Sequence, residues 1–278
     1  MAIGDFFRRL FGGGRFEAPA PQAPISRPSP PAAVPPPEPQ ASPAENPAFQ
    51  ASANARDRYW ASIGEVEPDV ISHLISPGLM GEPAWPTLRQ AYRVVRRGSS
   101  VILATDGMSD PFDDAEEGNG FEMELMLETA HIPDELADPP GGGIDRLKES
   151  WAFDVLVTMA STVAGVGGIV DRLDDFGGFI STEAPGASGS PRIAGQVPSR
   201  FILDDSLGFL LGAPTPDFPV SVPGMPLSPV RIVPIVLLTA EELAYIRKGG
   251  AAERAEVARR LAASPTGHRC DLERASVI

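Results

Sequence analysis

The residues with the clearest capacity for chemistry form one acidic run. Between positions 106 and 117 lie Asp106, Asp110, Asp113, Asp114, Glu116 and Glu117, with Ser109 among them. Clustered carboxylates can hold Ca²⁺ or Mg²⁺. The spacing here lacks the alternating ligands and central glycine of a calcium loop. The run therefore reads as a solvated loop or as a docking surface for a basic protein. Asp106, Gly107, Ser109 and Asp110 also fit a fold-defining turn, because Asp and Ser side chains bond their own backbone.

Other candidates are weaker. Gly186-Ala-Ser188-Gly-Ser190 is close to a nucleophile elbow, but Ser190 stands where the last glycine is needed. It reads as a flexible Pro/Gly/Ser loop. Gly165-Val-Gly167-Gly168 is half of a dinucleotide fingerprint, with Val170 at the third glycine position and a helix before it rather than a strand. It reads as a helix C-cap. No Gly-Lys-Ser/Thr phosphate loop occurs. His73, His131 and His268 are far apart, and none has a second His or Cys at metal-ligand spacing. His73 reads as a partly buried structural residue, and His131 as a strand-end residue near Asp134 and Glu135. No cofactor or metal is expected.

Composition narrows the function classes. The chain has 278 residues, 42% of them hydrophobic, a formal charge of −14 and a pI near 4.6. That charge argues against nucleic-acid binding, which needs a basic surface. It suits a soluble protein with a basic partner. The single cysteine, Cys270, precludes an internal disulfide and fits a reducing, cytoplasmic compartment. No apolar run reaches the length of a membrane span.

The elements that would position these residues divide the chain into four parts. Residues 1–16 place Ile3, Phe6, Phe7, Leu10 and Phe11 on one helical stripe, with Arg8 and Arg9 toward the other side. Such an amphipathic helix can lie on an anionic membrane or in a partner's groove, or pack on its own domain. Residues 17–50 hold twelve of the 31 prolines and form a disordered, semi-stiff spacer. A folded domain is expected over 51–265, and a loose tail over 266–278.

Within the domain, helices are expected at 53–63, 68–75, 151–164, 240–248 and 251–263, and a helical turn at 87–90. Ser150 is the expected N-cap of the third helix, where Trp151, Val155, Met159 and Val163 recur every four residues. Thr239 and Glu242 form a capping box. Strands are expected at 92–96 and 100–104, joined by Gly98-Ser99, and at 121–128, 201–203, 209–211 and 230–238. In the 121–128 strand Phe121, Met123, Leu125 and Leu127 point one way, and Glu122, Glu124, Met126 and Glu128 the other. Alternation of this kind predicts a half-buried strand. The 230–238 strand is nearly all apolar and reads as central, although Pro234 points to an edge or a bulge. Residues 213–229, with six prolines and Phe218, form a long loop of the binding type. The fold class is α+β, a mixed sheet flanked by helices and preceded by a disordered Pro-rich N-terminal tail.

The order of these pieces resembles the suppressor of fused family. TDGMSD, an acidic loop and GNGFEMELMLE are similar to that family's G-x-SD turn, variable loop and GFGFELTFRL-like strand. Ser150-Trp151 opens a helix as a Trp does there, and 230–238 runs into Thr239-Ala-Glu241-Glu242-Leu243 like the family's T-x-E-E-L start. The likeness covers roughly 85–261. It departs at 175–180, where the family often has a His-containing strand. The larger animal members carry a second domain, and this chain is too short for one.

The resemblance implies a non-enzymatic protein-binding domain, similar to the single-domain bacterial members associated with toxin immunity, that neutralises or sequesters a protein partner. Asp106, Ser109, Asp110, Asp113, Asp114, Glu116, Glu117 and Phe218 are the expected docking residues. Two alternatives stand beside it: a metal-dependent or serine hydrolase using 106–117 or Ser188, and an adaptor recruited to the inner face of the membrane through residues 1–50. Oligomeric state is not legible.

Overall fold

The structure is a computed structural model that describes residues 46–278 apart from 73–76, 82, 88, 113–117, 139–141 and 214–217. The expected amphipathic helix, most of the proline spacer, His73 and the acidic residues Asp113, Asp114, Glu116 and Glu117 lie outside the described residues.

A mixed sheet dominates the described domain, in the order β1–β3–β4–β5–β10–β8–β6. Its strands are β1 (Glu65–Val66), β2 (Ile71–Ser72), β3 (Ala91–Arg97), β4 (Ser100–Asp106), β5 (Met123–Thr129), β6 (Ile180–Pro185), β7 (Ile202–Leu203), β8 (Ser206–Leu211), β9 (Ser221–Val222) and β10 (Val230–Leu238). The helices are α1 (Pro47–Ile63), α2 (Asp134–Ala137), α3 (Trp151–Val166), α4 (Ile169–Asp175), α5 (Pro191–Gln196), α6 (Ala240–Gly249) and α7 (Ala251–Ala263). The expected α+β class holds. The β3–β4 hairpin turns at Gly98-Ser99, pairing Arg97 with Ser100 and Ala91 with Asp106.

Helices cover both faces of the sheet. The stripe of α3 (Trp151, Val155, Met159, Val163) is buried against Leu103, Leu125, Leu127 and Ile235 in one core. On the opposite face α1 buries Ala55, Tyr59 and Trp60 against Ile102, Ala104 and Met126. α6 and α7 bury Ile246, Val257 and Leu261 against Leu210, Val236 and Leu238. Each large apolar side chain so enclosed contributes about 1.5–3 kcal/mol. Ser150 caps α3 by accepting from the Phe153 amide, and Thr239 and Glu242 form the capping box of α6.

Sandwiching changes the expected character of β5. All seven of its residues are buried, Glu124 and Glu128 included. The alternation is real, but the second face is covered rather than in water, Glu124 and Met126 by α1 and Glu128 by the hairpin turn and the C-terminal segment. Pro234 is also central. It stands where β10 changes partners: Arg231–Pro234 pair in parallel with Met123–Met126, and Ile235–Leu238 pair antiparallel with β8. Its carbonyl accepts from the Gly212 amide at 2.9 Å. No edge or bulge is needed, because the missing N–H falls where the β5 ladder ends.

Residues after Pro265 fill the gap where β5 and β10 part, instead of hanging loose. The Cys270 amide donates to the Glu128 carbonyl at 2.8 Å, and the Thr129 hydroxyl donates to the Cys270 carbonyl. The Cys270 thiol bonds the Ile235 carbonyl and accepts from the Leu237 amide. Burial pushes that thiol up to about 12. Arg274 joins the Glu242 carboxylate to the Leu237 carbonyl.

Other local expectations are revised. α1 starts at Pro47, capped by Asn46, six residues earlier than expected and inside the assigned spacer. Ile71–Ser72 pairs with β3, so 68–75 is not a helix where it is described. Residues 87, 89 and 90 are not helical. The 186–190 segment is a 3₁₀ turn leading into α5, which Ser190 caps. No single helix among the described residues is long and apolar enough to cross a membrane; α3 and α4 pass only as a pair bent by 89°.

Candidate functional site

The TDGMSD turn is built on a buried carboxylate. Glu124 of β5 accepts from the Thr105 hydroxyl at 2.6 Å, the Gly107, Met108 and Ser109 amides at 3.1, 3.3 and 2.9 Å, and the Ser109 hydroxyl at 2.6 Å. The Thr105 hydroxyl in turn accepts from the Leu125 amide at 2.8 Å. The turn following β4 is thereby fastened to β5. The Gly-Asn-Gly break closes over it. A Cβ at Gly120 would lie 2.5 Å from the Asp110 and Met108 carbonyl oxygens, and its φ is +53°. Only glycine fits that approach without strain.

Arg56 of α1 completes the arrangement. Its Nε donates to Asp106 at 2.9 Å, its Nη2 to Asp110 at 2.5 Å, and its Nη1 to the Ser52 and Ser109 hydroxyls. Glu124 lies 3.8 Å from Nε. Arg89 and Arg93 reach Asp106 from outside at 2.8 and 2.7 Å. Three carboxylates thus meet three guanidiniums. The β4–β5 register, which pairs Ala104 with Met126, would bring Asp106 opposite Glu124 if continued. Two carboxylates facing each other across strands repel, and Arg56 supplies the compensating cation.

The electrostatics follow from burial and neighbours. For Arg56, burial opposes the charge, but Glu124, Asp106 and Asp110 outweigh it and hold the guanidinium more firmly protonated. Burial also opposes ionisation of Asp106; Arg56, Arg89 and Arg93 prevail and keep it well below the usual carboxylate range. At Asp110 and Glu124 burial dominates over the arginines and raises both carboxyls above their ordinary values.

This geometry corrects the docking expectation. Asp106, Ser109 and Asp110 are at most 1% exposed. Their oxygens are turned inward onto Arg56 and Glu124, so they offer no surface to a partner, and the fold-defining-turn reading describes them. Phe218 is also buried, beneath the Arg97 guanidinium and beside His268. Asp106 and Asp110 are engaged with arginines, and among the described residues no group of three metal-ligating side chains occurs.

A second polar cluster surrounds Glu128 at the far end of β5. Its carboxylate accepts from the Ser100 hydroxyl at 2.6 Å and from Arg97 Nη1 at 3.1–3.2 Å, and pairs with His268 Nε2 at 2.8 Å. Burial pushes this carboxyl up, but the hydrogen bonds from His268 and Ser100 and the nearby Arg97 guanidinium lower it overall. Serine, glutamate and histidine meet here in the wrong order for nucleophilic catalysis. Both Ser100 and His268 bond the acid, so no imidazole is placed to take the serine proton. Ser188 is exposed, with its amide bonded to Asp205 and no hydrogen bond from its hydroxyl among the described residues. His131 pairs with Asp271 rather than with Asp134 or Glu135.

Sequence reasoning did not single out Arg56, Glu124, Glu128, Arg97 or His268 as a set. One available signal was a pair of glutamates four residues apart within an apolar strand, each needing a buried partner.

The fold and its two charged clusters define an α+β domain with a mixed sheet between helices. No family model matches the chain, and no curated protein matches it. A solved structure described as the Sufu-Fu complex crystal structure is similar over 83% of this chain and 92% of that one, with 14% identity and a TM-score of 0.48.

Proposed function

We propose that this chain is a non-enzymatic protein-binding domain that neutralises or sequesters a protein partner, and that it pairs an extended segment of the partner with the outer edge of β6. The observation that carries this reading is the position of β6. It is the last strand of the sheet, six residues long, paired with β8 on one side and with no strand on the other among the described residues. An edge strand presents a row of free amides and carbonyls to an incoming strand. The resemblance of 105–128 to the suppressor of fused family supports the protein-binding class. The −14 charge favours a basic partner. The charged groups buried inside the domain are engaged with one another, which leaves them to hold the fold rather than to turn over a substrate.

Affinity capture with the full-length chain, read by mass spectrometry and stoichiometry, tests the reading. Successive amides of a strand point to opposite sides, so one of Ser181→Pro and Thr182→Pro removes an outward donor and leaves the β8 ladder whole. The variant that keeps its melting temperature should lose the stoichiometric partner. Capture of no stoichiometric partner, or full retention by that variant, would overturn the proposal.

A further inference from the structure

A cleft of about 450 Å³ lies between the β3–β4 turn and the turn that follows α7. Its volume is in the range of small-molecule sites. Glu128 is its single carboxylate, at the floor and 1% exposed, with both oxygens occupied by Ser100, Arg97 and His268. Two guanidiniums, Arg97 and Arg269, line the same cleft, along with the His268 imidazole. The lining is therefore cationic in a chain whose net charge is −14.

Both guanidiniums are held in place and keep spare donors. Arg97 lies 5.3 Å over the Phe218 ring and bonds Glu128 through Nη1 alone, which leaves Nε and Nη2 without a hydrogen bond among the described residues. Arg269 is fixed by Nε to the Thr266 carbonyl and Nη2 to the Pro265 carbonyl, which leaves Nη1. Guanidiniums fixed in this way lose little freedom on binding, and their planar donor array matches phosphate oxygens. The rest of the lining is hydroxyls and peptide groups, with Ala262 and Pro265 the apolar members. Such walls suit a hydrophilic body.

From this we infer that the cleft binds a small phosphorylated polyol, through Arg97 and Arg269, as an activity separate from strand pairing at β6. Titration calorimetry of the full-length protein with inorganic phosphate, glycerol 3-phosphate and glycerol tests it. The two phosphates should bind saturably, with a dissociation constant of millimolar order or below, and glycerol should not. Arg269→Gln touches only an exposed turn, so it should keep the melting temperature and weaken glycerol 3-phosphate about tenfold or more. Arg97→Gln should do at least as much. Arg231→Gln, which removes an exposed pair with Asp174, should change nothing. Absence of saturable binding, or unchanged affinity in a folded Arg269→Gln protein, would overturn the proposal.

Discussion

Glu124 and Glu128 lie four residues apart on one face of one strand, yet they do different work. Glu124 is sealed beneath α1, accepts five hydrogen bonds and has Arg56 within 3.8 Å. Glu128 sits at the margin of a cleft, where its partners Ser100, Arg97 and His268 come from the hairpin turn and the C-terminal segment. The first glutamate organises a turn whose Met108 is also anchored in the apolar core. The second ties the chain end to the sheet and neutralises the floor of a basic cavity. The same side chain on the same face is turned to scaffold or to surface by what packs above it.

The strongest way to break this contrast is to remove the cation under α1. Arg56→Met leaves Asp106, Asp110 and Glu124 buried without their common partner, and losing one side of a buried ion cluster costs about 3–5 kcal/mol. Urea unfolding should show a loss of that order or no cooperative transition. A loss below about 1 kcal/mol would mean that Arg89 and Arg93 alone neutralise the site. Glu124→Gln should cost somewhat less, about 2–3 kcal/mol, because an amide nitrogen would face donors that now meet a carboxylate. Glu128→Gln should cost only about 1 kcal/mol, since this group borders solvent and can recruit water. If the two glutamine variants are equally destabilised, the distinction between sealed and marginal sites fails.

Much of the frame was legible because it is local. Gly98-Ser99 announces the β3–β4 hairpin, Ser150 and the four-residue apolar rhythm announce α3, and Thr239 with Glu242 announces α6. The turn at 106–110 and the strand at 123–129 were legible as neighbours, but not as two halves of one polar cluster. That coupling depends on Arg56, one of two arginines in α1, whose burial arises only when α1 lies across the sheet. For the same reason Asp106, Ser109 and Asp110 looked like surface. An acidic run reads as solvated unless its cation is known, and that cation lies 50 residues upstream of Asp106. Pro234 misled through a sound rule, because the handover from β5 to β8 has no local sequence signature. The packed C-terminal segment was missed because its anchors, Cys270 and Arg274, bond backbone and side chains of distant strands.

The smallest effect is also the sharpest, because the two glutamates carry opposite signs. Glu128 has a folded value below its ordinary 4.5. Its contribution is present above 4.5 and fades as pH falls through the lowered folded value. The stability gap between the natural chain and Glu128→Gln should therefore narrow on acidification below pH 4.5. Glu124 has a folded value above its ordinary 4.5. Its ionisation in the fold is costly, and that cost is relieved as pH falls through the raised value toward 4.5. The gap between the natural chain and Glu124→Gln should widen over that higher window and then stay constant. Urea unfolding of the three proteins, from neutrality down to about pH 3, reads both slopes. Gaps that move in the same direction would show that Glu124, held by five donors, stays ionised as readily as its neighbour, and that hydrogen bonding outweighs burial there.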